Sequence, residues 1–441
     1  MRAGIGTGAT RFEFNSDLKV QMKVGIIGSG IGGLAAAHFL QRQGCQVTLF
    51  EKLDRVGMDA HRLTFEMNGR NYIGDVPSRM FNELQWPELL SLYNEIGVEH
   101  RAVDPTQSFS RIGQPTYLTL DVANRPQLGL NLLTDRRLRK IASDAKRFQE
   151  QGAQDLIDGE IDECSFAEYL DTNKYSFEFV REFLFPTLSS TVLTCSHKAL
   201  DNFPARIILA ALKRLFDSPK LLRTQHGTAD VVQRLTKNVA RISTNTTIVS
   251  FTQVGDQTSV KHTGGTELFD HLIVAVQANH VANLFDSISQ RELRVLDGFQ
   301  YENVEVVIHT DETLMPTDRK HWSTFNMVLP GPENRDEAMC NVWMNRFHDE
   351  WQLDTPVFQT IKPVVDPAPP TVLQSASLQR AVVSNQTPEL WSQLAELHEE
   401  PSRRIWFAGS YAVEGLPLLE TGVRSAKQIA QRIQRTAPQC Q

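Results

Sequence analysis

Two hydrophobic periods alternate along this chain. In the stretch KVGIIGSGIGGLAAAHFLQRQGCQVTLFE (23–51), Val24, Ile26 and Ile27 form a short β-branched run, the pattern of a strand buried on both faces. Gly28, Gly30 and Gly33 follow as G-x-G-x-x-G, and 34–40 is predicted as a helix with small residues on its strand-facing side. Gly44 ends that helix, 47–50 is predicted as a second strand, and Glu51 closes it. Residues 64–73 alternate about Asn68-Gly69, which predicts a hairpin. Helical spacing takes over at 86–96, 132–151, 166–188 and 204–222. The second of these carries the stripe Leu138, Ile141, Ala145, Phe148, and the fourth Ile207, Ile208, Leu212, Leu215, Phe216. Strand patterns return at 247–251, 259–262 (with a turn at Gly264-Gly265), 269–276, 301–309 and 405–408, and a last helix is predicted at 421–435. The run LIVAV at 272–276 has the composition of a buried parallel strand.

The first unit carries chemistry. Gly28 permits the tight turn, Gly30 lets a pyrophosphate approach the backbone, and Gly33 lets helix and strand pack closely. The helix N-terminus offers free N–H groups and a positive dipole end to phosphates. Glu51, about 20 residues on, suits a ribose diol. Strand, helix, second strand and acid in register point to a dinucleotide. A strand–helix pair of the same class ends the chain, with helical material between. The cofactor domain is therefore expected to be discontinuous, as 22–100, 225–285 and 400–436, with 101–224 and 286–399 forming a substrate domain. Residues 1–21 are expected to be a flexible leader, with Met22 an alternative start.

Composition narrows the partners. A net charge of −7 gives no footprint for nucleic acid. No stretch nears the roughly 18 apolar residues that a membrane-spanning helix needs. Five scattered cysteines without a C-x-x-C suggest neither a zinc site nor a disulfide framework, and fit a reducing, cytoplasmic setting. No metal site is expected.

Taken with the C-terminus, these motifs resemble the flavin-containing amine oxidase superfamily, and within it a branch of FAD-binding proteins associated with cyclopropane fatty-acyl synthases. The resemblance rests on the nucleotide unit, on RVGMDAHR (55–62), on GDVPSRMFNELQWPELLSLYNEIGV (74–98), on VIHTDETLMP with HWSTFNM (307–327), and on RRIWFAGSYAVEGLPLLETGVRSA (403–426). It implies an α/β fold: a Rossmann-like FAD domain with an inserted α+β substrate domain, in an amine-oxidase-like two-domain architecture. It also implies non-covalent FAD, since 411–420 lack a cysteine. The implied cofactor contacts are Gly28, Gly30, Ile31, Gly32, Gly33, Glu51 and Lys52; Gly57, Met58 and Arg62; Asp75, Val76, Pro77, Ser78, Arg79 and Met80; Ile248, Val249 and Ala275; and Gly409, Ser410, Leu418, Leu419, Glu420 and Val423. Leu419, Glu420 and Val423 are expected to aim backbone N–H groups at the flavin. Two departures stand out: Met58 replaces a glycine of the Gly-Gly pair, and Ser410 replaces the acidic residue that often follows the glycine.

No second G-x-G-x-x-G follows a strand, so electrons are expected from an organic substrate, by hydride transfer to flavin N5, with oxygen or another acceptor taking them onward. The substrate is expected to be a small organic or lipid-like molecule, and the oligomeric state is left open. Expected pocket walls are Arg79, Met80, Phe185, Thr191, Cys195, Trp322, Asn326 and Trp343. Lys320 and His309 are the weak catalytic candidates: Lys320 for promoting reaction with oxygen or else a solvated lysine, His309 with Asp311 for proton transfer or else a strand end and its turn. Arg206, Lys213, Arg214, Lys220 and Arg223 mark a membrane-facing helix or, alternatively, the solvent side of a core helix. Three functions stay open: oxidation of an amine or related C–N or C–H bond, dehydrogenation or desaturation of an acyl chain or polyene, and flavin binding without turnover.

Overall fold

The computed structural model describes residues 21–58, 62–120, 132, 134–159, 161, 164–284, 288–331 and 337–436. The expected leader lies almost wholly outside them. A five-stranded parallel sheet is ordered Ile405–Phe407, His271–Val274, Lys23–Ile27, Gln46–Phe50, Arg241–Ser243, so the strand that feeds the glycine turn is central. Helices Ile31–Arg42 and Leu419–Thr436 pack together over it, through Leu34, Ala35, Val423, Ala426 and Ala430. A seven-stranded sheet forms the second layer system: Val372–Val382, Gln300–His309, Phe358–Ile361, Met339–Trp343, Phe325–Leu329, Gln107–Arg111, Leu118–Leu120. The hairpin Leu63–Met67/Arg70–Gly74 turns where expected, with Asn68 and Gly69 both at positive φ (53° and 71°).

The periodicity misjudged three stretches. The single strand expected at 269–276 is two. Gly265–Phe269 ends an antiparallel meander with Gln257–His262 and Ile248–Val254, and His271–Val274 joins the parallel sheet. Asp270 makes the switch: its N–H donates to the Lys23 carbonyl, and its carboxylate accepts the Lys23 N–H at 2.8 Å. The helix expected at 204–222 is Ala205–Asp217. Phe216 is exposed, and Leu222–Thr224 is a strand paired with His100–Ala102. The helix expected at 166–188 breaks after Phe166–Thr172, where Lys174 takes φ 52° and Ser176 caps a new start by accepting from the Phe179 N–H.

The new helical run from Phe177 passes through two π segments, Val180–Leu184 and Leu188–Val192, that flank Pro186. Proline brings no N–H to its turn, so the Glu182 carbonyl loses its natural donor. The Tyr117 hydroxyl replaces it at 2.6 Å. Thr187 and Thr191 hydroxyls bond back to the Phe183 and Thr187 carbonyls in the same run.

His309 ends the strand Gln300–His309 of the seven-stranded sheet. It is fully buried. The Asp311 N–H donates to Nδ1, which leaves the proton on Nε2, donated to the Thr360 hydroxyl at 2.6 Å; Thr360 in turn donates to Asn341. Burial holds its pKa down, to about 4. Asp311 caps the Glu312–Leu314 turn. Burial alone would raise its pKa, but the N–H of Ala368 and the N–H and hydroxyl of Thr313 keep it below the usual carboxylate range.

Replacing Tyr117 with Phe orphans the Glu182 carbonyl and should cost about 1–3 kcal/mol in urea unfolding; an unchanged midpoint would mean the carbonyl has another donor. For His309 the unfolded chain takes up a proton near 6.5 that the folded site refuses until about 4. Its stability contribution is therefore present above the unfolded value and lost as pH falls through the folded one. The stability gap between the parent and His309→Asn should be widest at neutral pH and narrow in acid by at most about 3 kcal/mol. A gap independent of pH would contradict this.

Candidate functional site

Glycine geometry organises the cleft. Gly28 sits at φ +92°, and a Cβ on Gly33 would lie 2.0 Å from the Gly28 carbonyl oxygen, so turn and helix meet backbone to backbone. A Cβ on Gly32 would sit in ordinary contact with Gly409 (3.5 Å) and the Gly422 carbonyl (3.6 Å), and one on Gly422 would come within 2.8 Å of Ile31 Cγ2. The first helix, the end of the Ile405–Phe407 strand and the last helix thus lie close together at these glycines. Both helix N-termini consequently open side by side, with their positive dipole ends and first-turn donors together. A Cβ on Gly30 would meet nothing within 4 Å, so the backbone there faces open space. Ala275 closes the floor, its N–H donating to the Ile27 carbonyl. Ile31 is buried, against Gly422.

Glu51 stands at one end of this cleft. Its Oε2 accepts from the Ser29 N–H (3.1 Å) and hydroxyl, its Oε1 from the Leu53 N–H at 3.0 Å. The Gly57 N–H donates to Ser29 Oγ at 2.6 Å, which ties 55–58 to the glycine loop. Met58 is buried in the core cluster that holds Leu34 and Val232. Lys52 is exposed and Arg62 half-buried; 59–61 of the second motif lie outside the described residues. Ile248 turns into the core beside Phe50 and Phe269, while Val249, at a bulge, shows half its surface.

Residues 75–80 leave the hairpin at Gly74 and run against the large sheet. Gln359 clamps the segment: its Nε2 donates to the Asp75 carbonyl and its Oε1 accepts from the Ser78 N–H, around the cis Val76–Pro77 bond. The Asp75 carboxylate accepts from the Thr228 N–H and hydroxyl. Val76 is buried against the sheet, and Arg79 and Met80 are half-buried. The last helix starts at Leu419, which modifies three expectations. The Leu418 N–H is spent on the Leu416 carbonyl and Thr421 Oγ1. Val423 lies one turn inside the helix, fully buried, where its N–H belongs to the helical ladder. The Glu420 carboxylate turns away to accept from the Glu88 and Leu89 N–H groups at the start of Pro87–Glu95; burial raises its pKa despite those bonds. The first-turn N–H groups of this helix are therefore those of Leu419, Glu420 and Thr421, the last not among the expected positions. Ser410 is half-buried; the Gly409 N–H donates to Ser425 Oγ.

The expected pocket walls divide. Phe185 stacks on Phe166 in the core, Cys195 and Trp322 are buried, and Asn326 is fully enclosed by bonds to Ser108, Ser323 and Asn341. Thr191 and Trp343 keep partial exposure. Lys320 is a surface residue paired with Asp318 at 2.7 Å, its side chain 70% exposed. Of the basic set, Arg206 pairs with Glu414, Lys213 with Asp217, and Lys220 lies beyond the helix; Arg223 is buried in a strand on Glu350. Arg206 and Arg214 line a groove of about 780 Å³ with Trp391, Arg424 and Arg432, on the flank of the last helix away from the first. Among the described residues no His, Cys, Asp or Glu cluster could hold a metal, and no helix is long and apolar enough to cross a membrane.

The open Gly30 face, the paired helix N-termini and the Glu51 lip fit a bound dinucleotide. Comparison with known proteins agrees. The chain is similar along its length to a putrescine oxidase solved with putrescine (15% identity, 94% of this chain and 99% of that one, TM-score 0.64). It is equally similar to a fatty acid isomerase from P. acnes that produces CLA (15%, 93% and 98%, 0.65). At such identity the likeness is one of fold. A 4,4'-diapolycopen-4-al dehydrogenase from Metabacillus indicus is 41% identical over 78 residues, 18% of this chain; the chain spans only 14% of the length of the curated relatives it matches. The model of the flavin-containing amine oxidoreductases matches residues 31–350, so the chain belongs to that family.

Proposed function

We propose that this protein oxidises an organic substrate with FAD held non-covalently in the cleft between the two helix N-termini. The observation that carries this is the open backbone at Gly30, aligned with Glu51 at one end and the start of the last helix at the other. Gly30 to Gly33 would present N–H groups to the pyrophosphate, Glu51 would take the ribose diol, and Val249 would cover the adenine. Residues 75–80 would run beside the isoalloxazine, and the N–H groups of Leu419, Glu420 and Thr421 would face its electron-rich edge, where reduction leaves negative charge. When bound, the flavin supplies a two-electron acceptor for a substrate C–H bond. The protein's part is to seat the substrate against that face and exclude water. Lys320 has no place in this scheme. Its surface position favours a reading in which an acyl chain or polyene is dehydrogenated and the electrons leave to an acceptor other than oxygen.

Two tests follow from the glycines and the lysine. Gly30→Val should fold with near-parental thermal stability yet purify without flavin absorbance, while Gly33→Ala should fail to fold or melt far lower, since its Cβ meets a backbone oxygen. Equal flavin content in Gly30→Val and the parent would place the cofactor elsewhere. Lys320→Ala should leave the rate of reoxidation by oxygen, after anaerobic photoreduction, within about twofold of the parent, as expected for a surface substitution. A tenfold fall would return Lys320 to the site.

A further inference from the structure

The groove of about 780 Å³ is bordered by the helices Ala205–Asp217, Thr387–His398 and Leu419–Thr436. Ile207, Ala211, Trp391 and Ile429 give it an apolar lining. The indole N–H of Trp391 is spent on the Tyr411 carbonyl at 2.7 Å, two residues past Gly409. Arg206, Arg214, Arg424 and Arg432 stand around this lining, against the carboxylates of Glu414 and Glu420. Arg206 pairs with Glu414 at 2.5 Å, Arg424 donates to the Glu414 carbonyl, and Arg432 pairs with Glu399 at 2.7 Å. Arg214 is exposed and reaches the neutral amide of Gln85, at 3.5 Å. Glu420 is buried and holds the Glu88 and Leu89 N–H groups. On a chain of net charge −7 this lining keeps a positive excess. Glu420, Thr421 and Ser425 line the groove from the start of the last helix. The groove therefore meets the proposed flavin edge at one helical turn, and a helix with its side chains is about 10–12 Å across.

We propose that this groove is the docking site of an acidic one-electron carrier protein, which takes the electrons that the substrate leaves on the flavin. A small apolar patch ringed by arginines suits a transient redox complex, whose interface is small and whose association is steered by charge. Arginine and tryptophan are also the side chains that anchor protein contacts most often. The substrate's hydride brings two electrons and a proton. Each carrier accepts one electron across the last helix, so two carriers restore the oxidised cofactor after one turnover, and the proton passes to water. The surface position of Lys320 agrees with an acceptor other than oxygen. This assignment rests on the flavin site proposed above and names the acceptor class for it.

The test follows reoxidation of anaerobically photoreduced holoprotein by cytochrome b5, an acidic carrier, and by cytochrome c, a basic one. Cytochrome b5 should be the faster oxidant at low salt, with a rate that saturates with carrier and falls steeply as salt is raised. The double variant Arg214→Glu/Arg432→Glu, at parental flavin content, should slow that rate at least about tenfold. Lys320→Glu, which alters charge outside the groove, should stay within about twofold of the parent. Calorimetry on the oxidised protein should show cytochrome b5 binding, weakened by the same double variant; Arg214→Gln serves if the double variant does not fold. Faster reoxidation by cytochrome c, no dependence on salt, or an unchanged rate in the double variant would overturn the proposal. So would cosedimentation with phosphatidylserine vesicles that the double variant loses, which would assign the groove to a membrane surface. A parent without a flavin band would count against the cofactor site instead, and the calorimetry would then decide docking alone.

Discussion

The structure depends on one backbone contact that leaves no room for a side chain, that of Gly33 against the Gly28 carbonyl. It sets the first helix directly against the turn that ends the central strand. A methyl group at Gly33 would overlap a carbonyl oxygen, and one at Gly422 would come within 2.8 Å of Ile31 Cγ2. The apolar packing of Leu34, Ala35, Val423 and Ala426 then locks the helices in that position. Their N-termini are parallel and adjacent as a consequence, and the cleft's polarity follows from backbone dipoles rather than from charged side chains.

The large sheet positions the rest. Gln359 holds both sides of the cis Val76–Pro77 bond, so this segment is set by a strand of the large sheet. Asp75 ties the same segment to Thr228, and Glu420 ties its continuation to the last helix through Glu88 and Leu89. Polar side chains satisfied within the protein act here as braces.

Local signals were legible where local physics decides the outcome. The glycine turn, its flanking strands, Glu51 and the hairpin at Asn68-Gly69 follow from spacing alone. Elements set by distant partners were not legible. The strand Val372–Val382 lies behind a proline-rich lead-in and pairs with residues some seventy positions earlier, so nothing local announces it. The switch at Asp270 depends on Lys23, and the π segments around Pro186 depend on Tyr117 from another sheet. His309 and Lys320 look alike as isolated polar residues; burial in one and exposure in the other distinguish them only in three dimensions.

The most direct test of this account is the absorbance spectrum of the gently purified protein, taken before and after acid precipitation. Non-covalent FAD bound between the helix N-termini predicts a structured flavin band in the native protein that passes entirely into the supernatant. A native protein without that band, or flavin that remains with the precipitate, would contradict it.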